Sequence, residues 1–284
     1  METWLLLGIF GYSFHAVSIC IDKYMMNKKY DIISTNTIRI FFNGMILTFL
    51  GLIFFNLNFT VGLFIWCLII GLFFTISIIV YYYVLRLKEL GEIMPFYQSS
   101  RVLFIFIFSA IVFNEIVTFL DYIGVALILI GIYLVLSENW FKIPKIDKSS
   151  VIVLLSLPTS IINAILVKNL LFDVEPINLA ISIYFSAALI LTSFQLFSKR
   201  YSLMMIRKFK SKIPTIMSAS FFASIGTLFV YMALSVGNAS KVYPIAGVQS
   251  VFIFIIAIAF LKEKFYFHRF VGVVIIFFGI FLIS

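Results

Sequence analysis

The chain has 284 residues, 63% of them hydrophobic and 12% charged, with a mean hydropathy of +1.15. Soluble domains run at roughly 45–50% and about 25%, and 35 phenylalanines are more than a water-facing surface of this size can hide, so a soluble globular fold is excluded. The formal charge of +9 becomes a topology signal once the charges are placed along the chain, and no nucleic-acid partner is expected.

A bilayer crossing takes about 20 apolar residues. Apolar runs between charge clusters give spans 4–21, 35–55, 60–81, 93–113, 118–137, 150–167, 177–197, 214–235, 242–261 and 268–284. These runs are apolar on every face, and helix is the form that satisfies the backbone in lipid. Span one follows Met1-Glu2-Thr3 with neither a basic segment nor a small-residue cleavage site, so it is expected to be a span rather than a cleaved leader. His15 sits at its middle, either as a satisfied polar residue or as a cavity-facing group able to couple protons. Arg39, Arg86 and Lys168 lie near span ends, where long basic side chains snorkel; Arg39 is alternatively a guide for anions at a mouth. Tyr82 and Tyr231, near the ends of spans three and eight, belong either to an interfacial aromatic belt or to a substrate pathway.

Span four holds the sharpest candidate. Arg101 follows Pro95 by six residues, about 9 Å along a helix, and burying a guanidinium there costs roughly 2.5 kcal/mol or more. All twelve acidic residues fall at the ends of these spans or in loops, so a carboxylate partner is not evident. Arg101 therefore either faces a cavity that receives an anionic group or snorkels and bonds helix carbonyls. Gln98 in span four and Gln249 in span nine would orient a ligand's ammonium or hydroxyl, or bridge helices. Asn163 in span six is the counterpart of His15 in the first half, which suggests a polar pair facing a cavity.

The loops after spans one, three, five, seven and nine hold 17 Lys and Arg residues, whereas the other face has only Lys168 and Lys241. The positive-inside rule places the 17 in the cytoplasm and both termini outside a cell membrane. Cys20 and Cys67 lie in apolar segments without metal-ligand spacing. No metal or other cofactor is expected, and neither a phosphate-binding glycine loop nor a hydrolase motif is present, so the chain does not read as an enzyme.

The two halves repeat one pattern. Phe113-Asn114-Glu115, Gly124 and Gly131 are answered by Leu261-Lys262-Glu263, Gly272 and Gly279 at an offset of 148 residues, and Pro95 is answered by Pro244 at 149. Both prolines are expected in the first turn of their spans. Glu115 and Glu263 are expected to hold a helix end or tight loop, and the paired glycines to let a neighbouring helix approach. The pattern Pro95…Glu115…Gly124…Gly131 with its second copy resembles the EamA-type repeat of the drug/metabolite transporter superfamily. The resemblance covers the whole chain: repeats at 1–137 and 150–284 joined by a loop at 138–149. It implies an all-α membrane protein of ten transmembrane helices in two inverted five-helix repeats around a central cavity, working by alternating access. An odd number of spans per half independently inverts the second copy.

Together these features give a secondary transporter for a small anionic or zwitterionic metabolite, with amino acid or related metabolite export first. Its expected partners are that small molecule, the lipid bilayer and, through His15, protons; the chain is a monomer or homodimer. Arg101, Gln98, Gln249, Asn163, His15, Tyr82 and Tyr231 are the expected substrate contacts. A carrier of sugar phosphates, nucleotide sugars or lipid-linked sugars is the alternative. Drug efflux is weakened because span one has no carboxylate between Glu2 and Asp22. A non-transporting membrane assembly protein is the competing class.

Overall fold

The computed structural model describes residues 2–136, 147–197, 210–262 and 264–283. Among these residues there is no strand, and the helices form ten spans. The first half contributes α1 (Thr3–Asn27), α2 (Ile32–Phe54), α3 (Val61–Leu87), α4 (Leu90–Val112) and α5 (Phe119–Leu136). The second contributes α6 (Lys148–Leu170), α7 (Pro176–Phe197), α8 (Ile213–Val236), α9 (Ala239–Leu261) and α10 (Phe267–Ile283). Seven of these are long and apolar enough to cross a bilayer outright; α4, α5 and α10 carry shorter apolar stretches. Large apolar side chains project from the outer faces, among them Leu155 at 75% and Phe49 at 64% exposure, as a lipid-facing surface requires. The chain is a multi-pass membrane protein.

Local chemistry sets the helix ends. The Asp31, Thr60 and Asp147 side chains accept the backbone N–H of Ser34, Leu63 and Ser150 at 2.9, 3.2 and 3.0 Å, starting α2, α3 and α6. α1 closes where Lys29 turns left-handed (φ 54°) and the Tyr30 N–H returns to the Met25 carbonyl at 3.2 Å. The repeated motif encodes the same device twice. Asn114 after α4 and Lys262 after α9, equivalent residues of the two copies, take φ of 51° and 56°.

Several boundaries differ from expectation; α3, for one, runs past residue 81 to Leu87. α1 runs past residue 21 to Asn27, so Asp22 and Lys23 are helical and lie inside the fold rather than in a loop. α4 begins at Leu90, which puts Pro95 in its second turn instead of its first; only the carbonyl of Gly91 loses a donor there. α9 starts with a short helical turn at Ala239–Val242, and Pro244 follows in a 3₁₀ turn, Tyr243–Ile245, before the helix resumes at Ala246. Glu263 lies outside the described residues.

The halves interlock. α1 packs on α8 and α3 on α6, while α2 pairs with α7, α4 with α9 and α5 with α10. The α5–α10 seam is made by the repeated glycines. A Cβ on Gly131 would sit 2.6 Å from the Gly272 carbonyl oxygen, and one on Gly279 would sit 2.6 Å from that of Gly124. Backbone meets backbone there, and the seam keeps α5 and α10 at the side, away from the central cavity.

Each half also pins its third helix with a lysine from its first. Lys23 of α1 donates to the Leu85 carbonyl at 2.8 Å and to that of Lys88, at the C-terminus of α3. Lys168 of α6 donates to the Leu234 and Gly237 carbonyls at 2.8 and 3.0 Å, at the C-terminus of α8. Ammonium groups there satisfy orphan carbonyls and complement the helix dipole. Lys168 is 5% exposed, so it does not snorkel; a helix terminus inside the fold gives it a better partner than water.

Candidate functional site

A cavity of about 200 Å³ lies between the halves, walled by residues of α1, α2, α3, α4, α6, α7, α8 and α9. Each long wall is one face of a helix, with residues three or four apart. α1 offers Tyr12, His15, Ser18, Ile19 and Asp22; α4 offers Tyr97, Gln98, Arg101, Val102 and Ile105. Tyr12, Tyr81, Tyr97, Tyr184, Tyr231 and Tyr243 line it together with aliphatic side chains, giving an apolar chamber with a few placed polar groups, the usual character of a small-molecule site.

Of the expected contacts, Arg101, Gln98, Gln249, Asn163, His15 and Tyr231 all line this cavity. The Gln98 amide donates to the Gln249 carbonyl oxygen at 3.3 Å, so the two glutamines bridge α4 and α9 as well as facing the chamber. Asn163 donates to the Ile70 carbonyl of α3 at 3.3 Å. Beside it, Tyr243 of α9 donates to the Ala164 carbonyl at 3.1 Å, which ties α9 to α6. His15 packs where α1 and α8 come closest: a Cβ on Gly226 would sit 2.9 Å from its ring. Tyr82 is displaced from its expected place. It is fully buried and its hydroxyl is given to Asp22, while the next residue, Tyr81, takes the wall position. Successive residues on a helix point about 100° apart, so with Tyr81 on the wall Tyr82 turns toward Asp22.

Arg101 is the charged group of the cavity wall that no carboxylate pairs with among the described residues. Its side chain is half-buried, and its Nε is shielded from solvent without a hydrogen-bond partner among the described residues. Such a donor is costly unless a ligand or water meets it.

The sequence reading missed a second charged cluster. Arg39 was expected at a mouth or snorkelling, and Asp22 was placed in a loop. In the fold both are buried, at 6% and 1% exposure, and they pair with each other, Arg39 Nε lying 3.0 Å from Asp22 Oδ1. Tyr82 donates to the same oxygen at 2.7 Å and Tyr81 to Oδ2 at 3.2 Å. Arg39 also donates to Ser18 Oγ at 2.7 Å, and that hydroxyl donates to the Ala219 carbonyl of α8 at 2.9 Å. A buried ion pair repays its desolvation only when its remaining lone pairs and protons are met in this way. The signal was present in sequence as the spacing of His15, Ser18 and Asp22 on one face of α1, hidden by a span boundary drawn at residue 21, six residues short of the helix end at Asn27.

Glu115 sits away from the cavity. Its two carboxylate oxygens accept the Ala239 and Ser240 backbone N–H groups at 2.9 and 2.8 Å, an anion at the start of α9.

Residues 2–137 and again 149–284 match the EamA-like transporter family. The chain belongs to the EamA-like transporter family. It is thus a membrane transporter of the drug/metabolite transporter superfamily. Among solved structures, one titled "Crystal structure of protein" is similar to this EamA-like chain with a TM-score of 0.66 and 12% identity, covering 98% of this chain and 95% of its own. That likeness shows the fold alone. No curated protein matches the sequence.

Proposed function

We propose that this EamA-like protein is a secondary transporter for a small anionic or zwitterionic metabolite, an amino acid or related compound, exported by alternating access. One observation carries the reading: a guanidinium, Arg101, on the wall of a cavity between the repeats, with a shielded Nε that has no partner among the described residues. A substrate's anionic group completes that donor, and the glutamine pair, Asn163 and the tyrosine hydroxyls supply polar contacts around it. The interlocked pairing of helices from opposite halves supports rocking of one bundle against the other, because each half carries part of the wall. The distribution of Lys and Arg supports external termini. His15 on the wall is the group through which protons would couple.

Reconstitution into proteoliposomes tests this. Arg101→Ala is expected to abolish transport of the substrate, and Arg101→Lys to lose most of it, since an ammonium cannot reproduce bidentate recognition. Normal transport by both variants would overturn the charge-recognition reading. Sugar phosphates are less well served, because the second guanidinium in the cavity, Arg39, is already paired to Asp22.

A further inference from the structure

The charges on the cavity wall define how many negative charges the substrate carries. Among the described residues the wall has two guanidinium groups, Arg39 and Arg101, and one carboxylate, Asp22. These three groups leave an excess of one positive charge. Asp22 does not offer a second attractive position for a cation. Its oxygens already accept from Tyr82 and Tyr81, with Arg39 Nε 3.0 Å away, so an incoming ammonium would meet a carboxylate whose charge is already matched, with a guanidinium alongside.

We propose that Asp22 is a specificity-determining residue: by holding Arg39 as an internal ion pair, it sets the cavity to accept an organic anion with a single net negative charge. The proposal rests on the transport reading above and narrows it from an anion or zwitterion to a monoanion, which keeps the related carboxylates within that reading and leaves out zwitterionic amino acids. In the low-dielectric chamber a monoanion neutralises Arg101. A zwitterion brings its ammonium into a site with no free acceptor carboxylate and leaves the excess charge standing. A dianion overshoots, because Arg39 is not available to meet its second charge. Each mismatch is a like-charge or unpaired-charge penalty, on the order of tenfold or more in affinity.

The aliphatic and aromatic wall suits an apolar body, so hexanoate, norleucine and adipate make a matched series: one carbon chain length carrying one net negative charge, a zwitterion and two negative charges. Binding to the full chain in detergent at neutral pH, read by calorimetry or ligand-induced thermal shift, is compared across the three. Wild type is expected to favour hexanoate over both others by about tenfold or more. Asp22→Asn frees Arg39 and raises the excess to two positive charges, so the preference is expected to move to adipate. The double variant Asp22→Asn/Arg39→Gln removes both members of the pair and restores an excess of one; it is expected to prefer hexanoate again, and it decides the matter if the single variant does not fold. Wild-type preference for norleucine or adipate would overturn the proposal, as would an Asp22→Asn protein that folds without gaining adipate, or a double variant that loses the hexanoate preference. The broader reading fails separately, if Arg101→Gln binds hexanoate as tightly as wild type.

Discussion

Replacing Glu115 with alanine removes the only anion seen at the start of α9 among the described residues. Its two oxygens hold the Ala239 and Ser240 N–H groups at 2.9 and 2.8 Å, and those residues are 1% and 4% exposed. Hydrogen bonds to a charged group contribute about 1.5–3 kcal/mol each when buried. Glu115 itself is half-buried, which lowers the figure to about 1 kcal/mol per bond, with a few tenths more from the helix dipole. The expected loss is about 2 kcal/mol, or a fall of roughly 3–4 °C in unfolding midpoint for a chain of this size. Tryptophan fluorescence during a temperature ramp of the purified protein in detergent measures it. Glu115→Gln keeps one acceptor and the size of the side chain, so it is expected to fall by about half as much. A midpoint for the alanine variant within about 1 °C of wild type would refute the capping role, because two shielded N–H groups cannot lose their acceptor without cost.

Removing one member of the Asp22–Arg39 pair is expected to destabilise more, by about 3–5 kcal/mol, while removing both recovers much of the loss; a thermal-unfolding double-mutant cycle measures the coupling, and additive effects would contradict the pairing. Gly131→Val drives a side chain against the Gly272 carbonyl, where a Cβ would lie 2.6 Å away. Overpacking of about 1–3 kcal/mol is expected, seen as lower yield of monodisperse protein and a lower midpoint than for a substitution at open Gly62. At Asp147, outside the spans, burial raises the carboxyl pKa, but hydrogen bonds from Lys88 and from the Ser150 N–H and hydroxyl outweigh it and hold the net value below 3.8. A depressed carboxyl stabilises the fold above its unfolded pKa and loses that contribution as pH falls through the folded one. Wild type is therefore expected to lose more of its thermal midpoint than Asp147→Asn on acidification below about pH 4, and parallel curves would contradict this.

Much of the scaffold was legible because it is written twice. Span parity and the recurring Glu and Gly give the inverted halves, and the seven-residue glycine spacing marks the α5–α10 seam. The helix ends were less legible. A span boundary drawn by hydropathy stops at the first charge, yet α1 continues through Asp22 and Lys23 because each finds its partner inside the fold. Arg39 likewise scored as an interfacial residue when its partner was unknown. Pairing across helices is set by tertiary geometry: Asp22 and Arg39 are separated by a turn in sequence, and the tyrosines that complete the cluster arrive from α3. For the same reason Tyr81 and Tyr82 could not be told apart, since which one faces a cavity depends on the rotation of α3. The polar face of α1 at His15, Ser18 and Asp22 was the readable clue.

The central claim is that an anionic substrate is held in the cavity by Arg101. Its most direct test is ligand-dependent thermal stabilisation of wild type and Arg101→Ala across a panel of metabolites of differing charge, since a ligand that binds only the folded carrier raises its midpoint by mass action. Anionic members are expected to stabilise wild type and to lose that effect in Arg101→Ala, with cationic members inert in both. Equal stabilisation of the two proteins by the same anions, or selective stabilisation of wild type by cations, would contradict it.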